Sequence, residues 1–178
     1  MADFEIIAEG VLTGTSNTID FTSIPSTYSH LELLFSARSN KAGASSDGGE
    51  MLVNGDTGSN YGFCGGYAVN SGYSYIGPLD PGTRNQIDNA LRIVNAGMPT
   101  GVFSVTRMMI PNYTNTSVQT KGILGTSTTA TTTTATWWTQ FGLGSWVSTA
   151  AITQLTIYSE SVSYPFVAGS SYWLGGWA

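Results

Sequence analysis

Charge is scarce in this sequence: Lys, Arg, Asp and Glu together make up 10% of its 178 residues, where a soluble surface ordinarily carries about a quarter to a third. A chain this poor in charge either covers itself with hydroxyls and amides or buries much of its outside against other protein. Six Lys and Arg stand against eleven Asp and Glu, for a net charge of -5. Phosphate backbones and anionic membrane surfaces are bound through Lys and Arg, so neither nucleic acid nor membrane is an expected partner. Cys64 is the only cysteine, which excludes an intrachain disulfide and a zinc site of the multi-cysteine kind.

Histidine is equally sparse. His30 is alone, and a lone imidazole acting as general base still needs a nucleophile and an orienting acid. The chain has no Gly-x-Ser-x-Gly elbow and no Gly-Lys dipeptide for a phosphate loop. Helix signals are nearly missing too: no stretch beyond two turns keeps the i, i+3, i+4 apolar spacing free of Gly, Pro and β-branched residues. The opening Met-Ala-Asp-Phe-Glu lacks a basic start and apolar run, and no segment approaches the ~18 apolar residues of a membrane span. The expectation is a protein that is not an enzyme, takes no cofactor or metal, and is used without Sec-type export.

What is present is material for strands. Hydrophobic residues at 41% and aromatics at 12% are enough to fill one core, so residues 1–178 are expected to form a single domain. Its first twelve residues are candidates to pack on a neighbouring subunit. Strands are predicted at Phe4–Leu12, Thr18–Phe21, His30–Arg38, Glu50–Asn54, Tyr61–Val69, Ala90–Asn95, Val102–Ile110, Val118–Leu124, Ile152–Tyr158 and Tyr172–Trp177. In the third, Leu31, Leu33, Phe35 and Ala37 alternate with Glu32, Ser36 and Arg38, so the first set should face a core and the second solvent. Leu34 breaks the polar side, which hints at a partly covered outer face. Asn40–Gly49 reads as a small-residue loop, and Gly77-Pro78, Asp80-Pro81-Gly82 and Gly97-Met98-Pro99 read as turns. Many short strands spaced by turn residues predict an all-β antiparallel sandwich, jelly-roll-like.

Acidic residues are the remaining route to chemistry. Asp47 and Glu50 flank Gly48-Gly49, Asp80 and Asp88 fall in loops, and Asp56 sits in a run from Asn54 to Asn60 rich in oxygen ligands. That run lacks the EF-hand spacing and its closing glutamate, so it reads as a turn. The stretch Thr126–Thr136 holds only Thr, Ser and Ala and runs into Trp137-Trp138. Threonine favours extended backbone, and the tract reads either as a polar edge or loop or as a ribbon pairing with another subunit. Neighbouring strand residues point to opposite faces, so one of Trp137 and Trp138 is expected in the core and the other outside. Trp and Tyr dominate subunit contacts. The candidate interface residues are therefore Trp137, Trp138, Trp146, Trp177, Thr131 and Thr133, with Tyr73 and Tyr75 of similar kind.

Several phrases stand together in order: Ile24-Pro25-Ser26-Thr27-Tyr28-Ser29-His30-Leu31-Glu32-Leu33, Ala37-Arg38-Ser39, and Asn54-Gly55-Asp56-Thr57-Gly58-Ser59-Asn60-Tyr61. Ile110-Pro111-Asn112-Tyr113-Thr114-Asn115-Thr116, Thr149-Ala150-Ala151-Ile152-Thr153 and Tyr172-Trp173-Leu174-Gly175 follow. In these the chain resembles a family of tailed-bacteriophage virion structural proteins. None of the phrases is catalytic. The resemblance implies a jelly-roll-like sandwich, commonly oligomeric, located in the virion. It implies a capsid cement or decoration protein whose partners are its own copies, as a homotrimer, and the phage major capsid protein. The alternative it leaves is a tail or tail-fibre module that binds host-surface glycan.

Overall fold

The computed structural model describes residues 3–43, 46–69, 72–129, 138–160 and 163–178, and among them there is no helix. Twelve strands form two antiparallel sheets packed as a sandwich. In chain order they are β1 (Phe4–Val11), β2 (Thr18–Phe21), β3 (His30–Ala37), β4 (Ser46–Val53), β5 (Tyr61–Val69), β6 (Gly72–Arg84), β7 (Ile87–Val94), β8 (Ser104–Pro111), β9 (Thr120–Thr129), β10 (Trp138–Val147), β11 (Leu155–Ser159) and β12 (Ser171–Trp177). The larger sheet runs β1-β12-β3-β8-β9-β10-β5-β6 and the smaller β2-β11-β4-β7.

The core lies between the sheets, where period-two alternation sends one set of side chains inward. From the larger sheet come Leu31, Leu33, Phe35, Met108 and Ile110; from the smaller come Met51, Leu91, Ile93, Leu155 and Ile157, all buried. Phe166 closes one end, meeting Phe35 edge to face at 5.3 Å. Each such side chain taken out of water stabilises the fold by about 1.5–3 kcal/mol.

Several segments differ from the sequence expectation, and Asp88, read as a loop residue, lies within β7. The Gly48-Gly49 pair lies inside β4 rather than in a loop, because a Cβ at Gly49 would sit 2.5 Å from the Leu91 Cβ of β7. Here glycine marks a close approach of two strands, not a turn. β6 runs through Gly77-Pro78 and Asp80-Pro81-Gly82, which read as turns. It is the outermost strand of its sheet and slips register twice against β5, and proline is tolerated at an edge or bulge where no ladder N–H is needed. β10 was not among the predicted strands at all.

β10 explains how the sheets approach one another. Its inward positions include Gly142 and Gly144, over which Phe63 and Ile87 pack: a Cβ would meet the Phe63 ring at 2.4 Å and Ile87 Cγ2 at 2.8 Å. On β9 the inward positions include Gly125 and Ser127. With so little volume between the layers, the backbone N–H of Arg92 on β7 donates to Ser127 Oγ of the opposite sheet at 3.1 Å. Inside the sandwich, β9 and β10 set small or polar residues beside the core side chains Ile123 and Trp146.

Of the predicted outward set on β3, Ser36 is half-buried, but Glu32 and Arg38 are buried rather than solvated. Arg38 donates to the carbonyls of Met98 at 2.7 Å, Pro99 at 2.9 Å and Val102 at 3.3 Å, so its guanidinium ties down the turn before β8. Glu32 is covered from outside by Arg107 and Trp177. The first twelve residues pair along Phe4–Val11 with the chain's own β12.

Candidate interaction face

The outer face of the larger sheet is the most unusual surface of the molecule, and its strands explain why. Antiparallel sheets with one wet face normally send apolar residues in and polar residues out. β9 and β10 follow that rule only in part. Ile123 and Trp146 point inward beside glycines and hydroxyls, and other large apolar residues stand outside: Leu124 is 46% exposed, Phe141 50% and Leu143 54%. Register brings Leu124 beside Leu143, and Met109 beside Leu124. Val105 and Leu34 continue the face across β8 and β3, and Tyr73 and Tyr75 continue it across β6.

Glycines on β5 shape this face. Gly66 stands opposite Phe141 on one side and Tyr75 on the other. A Cβ there would lie 2.3 Å from the Tyr73 hydroxyl, so the Tyr73 ring lies over bare backbone. Tyr73 and Phe141 face each other with planes 15° apart and centroids 6.4 Å apart. Monomeric proteins rarely expose contiguous apolar patches beyond a few hundred Å².

Charge is nearly absent from it. Among the outward residues of β3, β8, β9, β10 and β5, only Glu32 and Arg107 are charged, and they pair at 2.6 Å. Burial pushes the Glu32 carboxyl up, but the Arg107 guanidinium and the Trp177 indole N–H, 3.0 Å away, outweigh it and hold the carboxyl below its ordinary value. At the β1-β12 end the sheet covers its own outer face. Phe4 stacks on Trp173 at 4.6 Å and meets Trp177 edge-on at 4.9 Å, and His30 stacks on Trp177 at 5.9 Å.

The candidate interface residues fall in different places. Trp177 is half-buried in that aromatic cover. Trp146 is 3% exposed and faces the core; its indole N–H donates to Asp56 Oδ2 at 2.8 Å, so its surface is spent inside the fold. Trp138 lies on the inner face of β10 at the end of the sandwich, tilted against Tyr67 at 4.9 Å with the Arg92 guanidinium 4.3 Å above its ring. Trp137, Thr131 and Thr133 lie outside the described residues. The exposed Leu124, Phe141, Leu143 and Val105 were missed by the sequence reading. Their signal was the period-two run Phe141-Gly142-Leu143-Gly144, in which glycine hides the strand.

Two groups of acidic residues are engaged by the fold. Asp56 accepts from Trp146, from the Gly58 backbone N–H at 2.8 Å and from Asn60 Nδ2 at 2.9 Å. Burial alone would raise its pKa; the Trp146, Gly58 and Asn60 donors bring it below the usual carboxylate value. Asn54 Oδ1 accepts the backbone N–H groups of Thr153 and Gln154 at 2.8 and 3.0 Å. The Asn54–Asn60 segment is thus a hydrogen-bonded corner linking β4, β10 and the approach to β11. Tyr61 completes it: its hydroxyl accepts from Val53 N at 3.0 Å and donates to Asp56 O at 2.8 Å, and burial pushes its pKa up to about 12.

A second polar knot gathers Asp47, Glu160 and Lys41. Asp47 accepts from Ser39 Oγ at 2.8 Å and pairs with Lys41 at 3.2 Å, and Lys41 also pairs with Glu160. Burial, then the neighbouring Glu160 carboxyl, raise Asp47, whereas its contacts with Asp47 and Lys41 lower Glu160. Among the described residues no three His, Cys, Asp or Glu side chains are grouped to hold a metal ion. Compared with known proteins, the chain matches no family model, and no curated protein sequence matches it.

Proposed function

We propose that this chain is a structural subunit of a tailed-bacteriophage virion, a cement or decoration protein that binds the assembled major capsid shell and stabilises it. One observation carries the adhesive part of this reading: the larger sheet presents an apolar, almost chargeless outer face where solvent-facing strands would be polar. Adhesion, not turnover, is the chemistry such a face suits. The virion setting rests on the sequence resemblance.

A jelly-roll frame fits the strand order. Setting aside β5, β6, β9 and β10 leaves two four-stranded sheets, β1-β12-β3-β8 and β2-β11-β4-β7. Between these, successive strands alternate except at the β4 to β7 step, the pattern of an eight-stranded jelly roll. On this reading the two added strand pairs extend one sheet and carry much of the exposed apolar surface.

Stabilisation works by mass action. A ligand that binds the assembled shell but not its separate subunits adds RT ln(1 + [L]/Kd) per site, and many copies sum this over the shell. Virions stripped of the protein are expected to release DNA at lower temperature or pressure than complete ones. If stripped and complete particles fail identically, the cement role is wrong.

A second reading is favoured by one feature: Tyr73 and Tyr75 are each more than 60% exposed beside Phe141, and exposed aromatic rings suit stacking on sugars. On that reading the chain is a tail or tail-fibre module that touches host glycan. Quantitative gel analysis of purified virions separates the two, since a cement protein is present in hundreds of copies and a tail part in far fewer.

A further inference from the structure

We propose that copies of this chain pack the outer faces of their larger sheets against one another, and that the occupant of the exposed apolar surface is a second copy of the same protein. The inference deepens the adhesive reading of that face, yet its test needs no virion.

Strand polarity supplies the first argument. Shifting a strand by one residue exchanges its two faces, so a slip that buried Leu124, Phe141 and Leu143 would expose Gly125, Ser127, Gly142 and Gly144 together with Ile123 and Trp146. The close approach of β7, with Arg92 N–H on Ser127 Oγ and Ile87 over Gly144, and the Phe63 ring of neighbouring β5 over Gly142, require small residues at these inward positions and fix the register observed. The apolar side chains are thereby committed to the outside. A sequence that keeps them there, when Thr or Ser would serve on a wet strand, implies that the outside is covered.

Size supplies the second. Six strands, β3 through β6 in sheet order, spaced ~4.8 Å and some eight residues long at ~3.4 Å each, span ~780 Å². A stable protein–protein interface takes about 800 Å² from each partner. The face is large enough for one partner of the chain's own dimensions.

Charge and shape point to a copy of itself. The chain carries a net charge of -5, so most of its surface would repel a second copy. This face is locally neutral, its Glu32 and Arg107 already paired, and two copies meeting here bring no unpaired like charges together. It also bears both halves of a fit. Phe141 and Leu143 stand proud, and beside them Thr126, Thr128 and Thr139, with Val105 and Arg107, line a shallow hollow of about 170 Å³.

Sedimentation velocity of the purified protein over a wide concentration series tests the proposal, using Phe141→Asp and Leu143→Thr on the face and Val118→Asp, an exposed apolar residue off it, as control. Far-UV circular dichroism and thermal unfolding establish that each variant is folded. Wild type and the Val118 control are expected to self-associate. Phe141→Asp should weaken association about thirtyfold or more, as loss of a central interface residue does, and Leu143→Thr should weaken it without introducing charge. Wild type that stays monomeric throughout overturns the proposal, as does association unchanged in the folded face variants. Failure here leaves the capsid-stability comparison standing as a separate question, and failure there leaves self-association intact.

Discussion

The two faces of the larger sheet are made by the same strands, yet they follow different rules. Toward β1 and β12 the inner face beside β3 and β8 is built of large aliphatic and aromatic side chains, and the outer face is roofed by the chain's own aromatics and the Glu32–Arg107 pair, up to the exposed Leu34 and Val105. At the β9-β10 end Gly125, Ser127, Gly142 and Gly144 thin the inner face beside Ile123 and Trp146 so that β7 can approach, and Leu124, Phe141 and Leu143 stand outside without a roof. The difference teaches that burial in this protein is not decided strand by strand. Where the second layer lies close, size is constrained inside and apolar surface is displaced outward, to be covered by something else.

The largest effect is expected where the inner face is filled. Phe35 is buried against Phe166 and the β3-β8 core, and Phe35→Ala removes a ring that its rigid neighbours cannot replace. A loss of about 3–5 kcal/mol is expected, read as a lower midpoint in urea unfolding with an unchanged slope. A loss below about 1 kcal/mol would mean that the sandwich collapses readily at its centre, and the contrast between the two faces would weaken accordingly.

Much of this plan was legible in the sequence, and the rest was hidden for identifiable reasons. Alternation in Leu31-Glu32-Leu33-Leu34-Phe35 located β3 and its inward set, because a half-buried strand has period two. Leu34, expected under a partly covered outer face, is 37% exposed and was the sequence sign of the apolar exterior. Glu32 and Arg38 misled, since a charged residue reads as solvent-facing unless its partners are known, and those partners, Arg107, Trp177 and the carbonyls of residues 98–102, are distant in sequence. Trp146 misled in the same way: it is a core residue whose N–H is received by Asp56, 90 positions away. Glycine concealed most of all. In β4, β5 and β10 it marks close packing of strands or rings, and local pattern cannot distinguish that use from a turn.

An intermediate effect is expected from filling the space that glycine leaves on the inner face. Gly142→Ala places a Cβ within 2.4 Å of the Phe63 ring, and Phe63 is itself buried. Overpacking of this kind costs about 1–3 kcal/mol. Thermal unfolding of the variant measures it; a neutral outcome would mean that β10 can move away from Phe63 and β7, and that the inner face is not what fixes its register.

The smallest effect on the isolated chain is expected from the outer face. Leu124→Thr replaces a 46% exposed side chain with a β-branched one that suits a strand, and away from special features exposed substitutions stay within about 0.5 kcal/mol. Measured in dilute protein, where association is negligible, the unfolding midpoint should scarcely move. A loss above about 1 kcal/mol under those conditions would show that Leu124 is packed within the single chain, and that the outer face at β9-β10 has a roof of its own. At high protein concentration the outcome should change, because a native-state partner adds to apparent stability in proportion to its binding. Wild type should then gain in midpoint and Leu124→Thr should gain less, so the same leucine contributes little to folding and measurably to association.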